Sequence, residues 1–473
     1  MFYGGNNLKK ILIISIIGLL IVSGIGASSL SIKKTNSVST SADEYDMVII
    51  APNKFSTALQ QLIVHKNSVG IKTFLKTTEE IYDGYDGRDE AEQIKYFIKD
   101  ALETYNISYV LLVGDIDKIP IRTSWIRFTY GGVVQFEHCV TDHYYADIYD
   151  ANGSFCSWDT NNNDKFGETV QDIGFYNNSF NYIDSVDLFP DVIIGRLPCS
   201  DIDEVTFVMN KIIRYETQTG DNEWFRRIIL LGGDTFPYSN GWSFPGCEMY
   251  EGEHVTGYIG DHMIGFDPVY LWASLKTFSP FSINHEINKG AGFVCYSGHG
   301  SASGFGTYRP NSSKLISYIA PRLCGLRNDD RLPIIYLSAC STAQLDASRE
   351  DVPSPGLIKL FYYLMAGVPY QSDSIYPCFA WQLVRKNGGG AIAVIGATEK
   401  GLAGEAGDFI STGNDRFNVQ FFLSYEPGIT VGEMFFRAKQ DYMINAFPIL
   451  SECINIEELT LIGDPSLKVG GYQ

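Results

Sequence analysis

The sequence predicts an α/β protein with mostly parallel sheets, on three observations. From residue 45 onward, apolar runs of strand length alternate with helical stretches, the pattern of a parallel sheet built through crossovers. After a polar, aromatic-rich interval between residues 120 and 190 the alternation restarts near residue 227, so two α/β units are expected. In the second unit, residues 292–300 and 332–340 are apolar and aromatic runs bounded by glycine or proline. Such runs fit central strands covered on both faces.

Each element follows from the same reading. Residues 45–51 form a buried strand, 55–66 a helix, 69–75 the next strand, 91–105 an amphipathic helix and 109–115 the third strand. Residues 191–198 close the unit as a strand, and a helix over 203–216 leads to the second unit. There 227–231 is a strand, 254–258 lies within a helix, and the two organising runs follow. A helix over 378–386 and a strand over 390–396 come next. The expected division is a targeting segment over 1–27, a linker rich in Ser, Thr, Asn and Lys over 28–44, an N-terminal α/β unit over 45–217 and a second over 218–473.

A chain of 473 residues exceeds one ordinary core, and about two or three domains is the expectation. Hydrophobic residues make up 45% and charged residues only 19%, which is the balance of a globular protein rather than a disordered one. The net charge of −19 argues against a nucleic-acid partner, whose phosphates need Lys and Arg. Lys9 and Lys10 precede an apolar run over residues 11–27, followed by small and polar residues. This is the order of a secretory signal cut near Ala27, or of a retained anchor, since the run is close to the lower limit of a membrane span. Either way the body is exported, and membrane contact is expected only if the segment is retained. The cysteines number nine, so in an oxidising compartment one thiol stays free or pairs between chains.

Inside the aperiodic interval, residues 159–168 carry Asp159, Asn161, Asn163 and Glu168, alternate oxygen-bearing side chains in a tight loop. Calcium takes such ligands, and Asp142 and Asp147 lie just upstream. The run departs from the EF-hand loop at Asp164 and Val170. The two readings are a structural calcium site of another type and a solvated Asn/Asp turn.

The chemistry lies in the two organising runs. The first breaks into Gly298-His299-Gly300 and the second into Ser338-Ala339-Cys340. In open parallel sheets ligands bind at the carboxyl ends of the strands. Two neighbouring strands ending in this way bring an imidazole and a thiol to one edge, as a thiolate nucleophile with a histidine partner requires. Either residue alone is ambiguous, because free cysteine is commonly buried and a histidine between glycines can cap a turn. Together, at the same place on each run, they are far more specific. The seven histidines show no paired spacing such as H-E-x-x-H, so a metal hydrolase is disfavoured.

With these residues the chain resembles the gingipain family of cysteine peptidases, of caspase-like fold. The resemblance is carried by Tyr296-Ser297-Gly298-His299-Gly300-Ser301, Ser338-Ala339-Cys340 and Pro377-Cys378-Phe379-Ala380. It extends to Val113-Gly114-Asp115, Gly195-Arg196-Leu197-Pro198, residues 391–398 and residues 461–467. It implies two caspase-like, three-layer α/β subdomains, the second catalytic. By motif, Cys340 is the nucleophile, His299 the general base and acid, and the N–H groups of Gly300 and Cys340 the oxyanion hole. Asp234 stands nearest to the acid that orients the histidine in relatives, which carry Glu there. Glu248, Glu251 and Glu253 lie in the segment that supplies the carboxylate of the arginine-specific pocket, so a basic P1 residue is the expectation.

The expected activity is an exported endopeptidase acting on polypeptides through a thioester acyl-enzyme, with no cofactor for the chemistry. The alternative is a non-catalytic surface protein that uses the same fold to bind calcium or a partner. The intact His299 and Cys340 pair favours the enzyme.

Overall fold

The computed structural model describes residues 44–130, 133–173, 178–220, 222–237, 250–346, 377–401, 410, 413–445 and 450–472. Residues 1–27, expected above to be a signal or anchor, residues 28–43 and Glu248 lie outside them. In chain order the strands of the first half are β1 (Met47–Ala51), β2 (Thr73–Thr77), β3 (Tyr109–Val113), β4 (Arg122–Tyr130), β5 (Val133–Thr141), β6 (Phe166–Ile173), β7 (Asn178–Tyr182) and β8 (Ile193–Leu197). Those of the second are β9 (Arg227–Gly232), β10 (Asp267–Trp272), β11 (Phe293–Ser297), β12 (His299–Ser301), β13 (Gly304–Tyr308), β14 (Leu315–Ile319), β15 (Ile334–Ser338), β16 (Ala393–Ala397) and β17 (Leu459–Ile462).

Ten of these strands make one sheet in the order β10-β9-β11-β15-β16-β17-β8-β3-β1-β2. The two expected α/β units are thus two halves of a continuous sheet, and β17 is the joint. It runs antiparallel to β16 and parallel to β8, while the other pairings are parallel. Burial explains why the central strands are legible as apolar runs. Every residue of β1, β8, β11, β15 and β16 is buried, so no polar alternation is tolerated.

Helices cover the sheet. Glu90–Tyr105 begins at Asp89, whose carboxylate accepts the Glu92 N–H, and ends at Asn106 in the left-handed region. Ile202–Gln218 is capped by Asp201 and buries Val205, Val208, Met209 and Ile212 along one face. Gly413–Leu423 lies against the second half, its Phe422 ring 5.6 Å from Phe293 on β11 and its Phe421 ring 5.3 Å from Tyr336 on β15.

Two smaller sheets escaped the sequence reading. The interval read as aperiodic contains the sheet β5-β4-β6-β7. The β4–β6 register shifts between Ser124 and Ile126, and such an irregularity breaks the alternation that would have announced a strand. The sheet β12-β13-β14 springs directly from the histidine.

Candidate active site

β11 and β15 are hydrogen-bonded neighbours in the middle of the second half, with Ser297 and Ser338 as their last register pair. His299 and Cys340 each follow two residues beyond that pair, so the register that aligns the strands brings both residues to the same sheet edge. Gly298 N–H donates to the Ser338 carbonyl at 3.1 Å and carries the pairing past the strand ends. Gly300 then packs on the cysteine itself. A Cβ there would lie 2.5 Å from the Cys340 carbonyl oxygen and 3.0 Å from its nitrogen, so only glycine permits the approach.

The histidine ring is partly buried and gripped from one side. Its Nε2 sits 2.7 Å from the Thr235 carbonyl oxygen. A carbonyl can only accept, so in the neutral ring Nε2 bears the hydrogen and Nδ1 keeps the lone pair. Phe236 and Tyr308 pack edge-on against the ring, with centroids 5.8 and 5.9 Å away. Burial lowers the pKa of His299 against the opposing pull of the Thr235 carbonyl, which favours a neutral imidazole, the base form.

The thiol of Cys340 is also held neutral. Burial, then the negative charge of Glu458, push it up to about 11, against backbone hydrogen bonds at Gly401 and at Cys340 itself. The Sγ to Gly401 oxygen distance is 3.7 Å.

Asp234, expected to orient the histidine, stands next to the group that meets the ring. The group on the imidazole is the backbone carbonyl of the next residue, Thr235, not the Asp234 carboxylate. The main chain of Asp234 is tied up in a two-way bridge with Tyr308. Its side chain is buried, and burial and the neighbouring Glu253 raise its pKa to about 6. Glu251 and Glu253, expected above to line a specificity pocket, sit beside it. The Glu251 carboxylate accepts the Thr235 N–H at 2.9 Å and the Phe236 N–H at 3.3 Å, while its Oε1 is buried without a hydrogen bond. Burial pushes it up to about 7. Glu253 accepts the N–H and hydroxyl of Ser274 at 2.8 and 2.5 Å, and burial raises it too. Of these acids, Glu251 is the one bonded to the turn that holds His299.

The acidic loop is closed by its own hydrogen bonds and by arginine. Asp159 accepts the N–H groups of Asn163 and Asp164 and pairs with Arg88 at 2.6 Å, and Glu168 accepts the Asn163 amide at 3.0 Å. Asn161 is exposed on the same turn. Upstream, Asp142 pairs with the buried Arg196 at 2.6 Å, and Asp147 accepts the Trp158 indole N–H at 2.7 Å. Among the described residues no group of three or more His, Cys, Asp or Glu side chains is placed to hold a metal ion.

Sequence reading missed Thr235, because its contribution is a backbone carbonyl with no side-chain signature. It also missed Asp415, 75 positions beyond the cysteine, which touches both strand ends.

The family model for peptidase family C25 matches residues 40–470. This chain belongs to that family. Among its relatives, an uncharacterised protein of Archaeoglobus fulgidus is 22% identical over 341 residues, covering 65% of this chain and 68% of the other. Gingipain R2 of Porphyromonas gingivalis is 24% identical over 303 residues, covering 62% of this chain and 32% of the gingipain, so the chain spans about a third of that relative. Among solved structures, the complex of Porphyromonas gingivalis RgpB pro- and mature domains superposes with a TM-score of 0.59 at 20% identity, covering 90% of this chain and 79% of that one. The arginine-specific cysteine proteinase gingipain R gives a TM-score of 0.58 at 20% identity, with coverage of 91% and 79%. This C25 chain therefore has the gingipain fold, as its sequence motifs implied.

Proposed function

We propose that this C25 chain is an exported cysteine endopeptidase working through His299 and Cys340. The observation that carries the reading is the register of β11 and β15, which delivers both residues two positions past a paired serine couple. In the first step Nδ1 of His299 takes the thiol proton as sulfur attacks the peptide carbonyl. The oxyanion that forms is met by the N–H groups of Gly300 and Cys340, fixed at strand ends before substrate arrives. The imidazolium returns the proton to the leaving amine, and a thioester remains. Water, deprotonated by the same nitrogen, releases the acid and restores the thiol. No cofactor enters these steps.

A basic P1 residue is the preferred substrate in this reading. Glu251 supports it, as a buried carboxylate with one oxygen left without a hydrogen bond, bonded to the turn that carries the histidine partner. Related proteins include an arginine-specific proteinase and Lys-gingipains.

Peptide libraries varied at P1, offered to the wild type, Cys340→Ala and Glu251→Gln, test both parts. Turnover is expected to vanish in Cys340→Ala, and preference for Arg or Lys to fall about tenfold or more in Glu251→Gln. Turnover that survives in Cys340→Ala refutes the peptidase assignment. An unchanged P1 profile in Glu251→Gln refutes only the role of that acid.

A further inference from the structure

Asp415 lies in the first turn of the helix Gly413–Leu423, against the carboxyl ends of the two central strands. One of its oxygens, Oδ1, accepts the hydroxyl of Ser297 at 2.7 Å and the hydroxyl of Ser338 at 2.7 Å. These serines are the last register pair of β11 and β15, and each precedes its reactive residue by two positions. We infer that Asp415 is a positioning residue, a carboxylate that clasps the two strand ends and so sets the spacing of His299 and Cys340. The inference rests on the peptidase reading.

The helix is held in place to do this. Three of its side chains step along β11 in register: Asp415 meets Ser297, Asn418 accepts the Cys295 thiol at 3.4 Å, and Phe422 packs on Phe293 at 5.6 Å. Helix positions 415, 418 and 422 share a face, as do strand positions 297, 295 and 293, so the contact is a rail rather than a single touch. Burial raises the pKa of Asp415 to about 6, against the hydrogen bonds from Ser297 and Ser338, so the carboxylate is mostly ionised near neutral pH. An ionised oxygen is also the stronger acceptor for two hydroxyl donors. Nothing else in the described part of this region joins both strand ends through one atom. Serine hydroxyls that turned to other partners would leave the ends tied by the backbone alone, at the point where the chain departs from the sheet.

The loss of such a clasp is read in kcat, because a displaced imidazole or thiol still permits substrate to bind. A misplacement of about 1 Å costs about a hundredfold in rate. Asp415→Ala is therefore expected to lower kcat by about a hundredfold while KM moves less than about threefold. Asp415→Asn, which keeps an acceptor oxygen at the same place, is expected to recover most of that loss. Ser297→Ala with Ser338→Ala should reproduce the alanine variant, and adding Asp415→Ala to that pair should cost little more, because the three act as one unit. Melting temperatures and circular dichroism of each variant separate a folding defect from a rate defect. Wild-type kcat in Asp415→Ala overturns the inference. So does a loss that Asp415→Asn fails to recover, or one that simply adds to the serine losses. A wild type without turnover, or turnover that survives Cys340→Ala, instead fells the peptidase reading on which the inference rests, and is recognised without any Asp415 variant.

Discussion

His299 and Cys340 are both held in their uncharged forms, and that sets how the proposed site answers pH. With the thiol pushed up to about 11 by burial and Glu458, the thiolate fraction near neutrality is on the order of one in ten thousand. Burial also lowers His299. A preformed thiolate–imidazolium pair needs the opposite arrangement, so in the proposed mechanism the proton moves to His299 only as sulfur attacks. Alkylation of Cys340 by iodoacetamide is therefore expected to climb about tenfold per pH unit from about pH 6 to pH 9, without a plateau. A plateau already reached below about pH 7, measured by mass spectrometry of the modified cysteine, would show an ion pair and refute this account. His299 and Cys340 were legible in the sequence because each ends an apolar run. Thr235 was not, because its ligand to the ring is main chain. Asp415 was not either, because an aspartate in a first helical turn usually signifies a cap.

Among the elements, those buried on both faces were the readable ones. β1, β3, β11, β15 and β16 announce themselves as apolar runs, β9 does so after its leading Arg227 and β8 around its buried Arg196, whereas β10, with its exposed Asp267 and Pro268, and the small sheets do not. What the sequence could not display is how closely the helix Glu251–His262 presses on those strands. A Cβ on Gly252 would collide with the Ser297 carbonyl, and one on Gly232 at the end of β9 would collide with the Gly252 carbonyl. The helix start thus meets β9 and β11 backbone to backbone, which brings Glu251 under the turn at Thr235. Gly252→Ala is expected to lower stability by about 1–3 kcal/mol through overpacking, read as a lower urea midpoint with an unchanged slope. Activity should fall as well, since Glu251 and Thr235 move together. An unshifted midpoint would mean that the helix yields freely and does not set the site.

At the scale of the whole molecule, the last β-strand and the residues after it close the sheet, and a buried charge cluster locks them. Lys66, on the helix Ser56–Ser68, pairs with Glu216 at the end of Ile202–Gln218 and with Asp464 just past β17, both at 2.8 Å. His65 adds a contact to Glu216 at 2.8 Å, and the Lys468 N–H donates to the same carboxylate at 2.8 Å. All three partners of the central ion cluster are fully buried, so removing one strands the others without solvent. Burial alone would raise Glu216, but the Lys66 charge and the hydrogen bonds from His65 and Lys66 overcome it and hold its pKa below the usual range. Burial alone would likewise lower Lys66, yet the charges of Asp464 and Glu216 leave it raised. The signs then fix a window. A depressed carboxylate contributes stability that is present above its unfolded value of about 4.3 and is lost as pH falls through the folded value. A raised lysine contributes stability that is present below about 10.4 and is lost only as pH climbs through its folded value. Glu216→Ala is therefore expected to cost about 3–5 kcal/mol near neutral pH. The gap to the wild type should narrow as both are acidified through the folded-state pKa of Glu216, because protonation removes from the wild type what the variant already lacks. Urea melts of the two proteins at a series of pH values measure that gap directly. A gap that stays constant from neutrality down to about pH 2 would assign the loss to packing alone and remove the charge cluster from the account of how the chain ends are held.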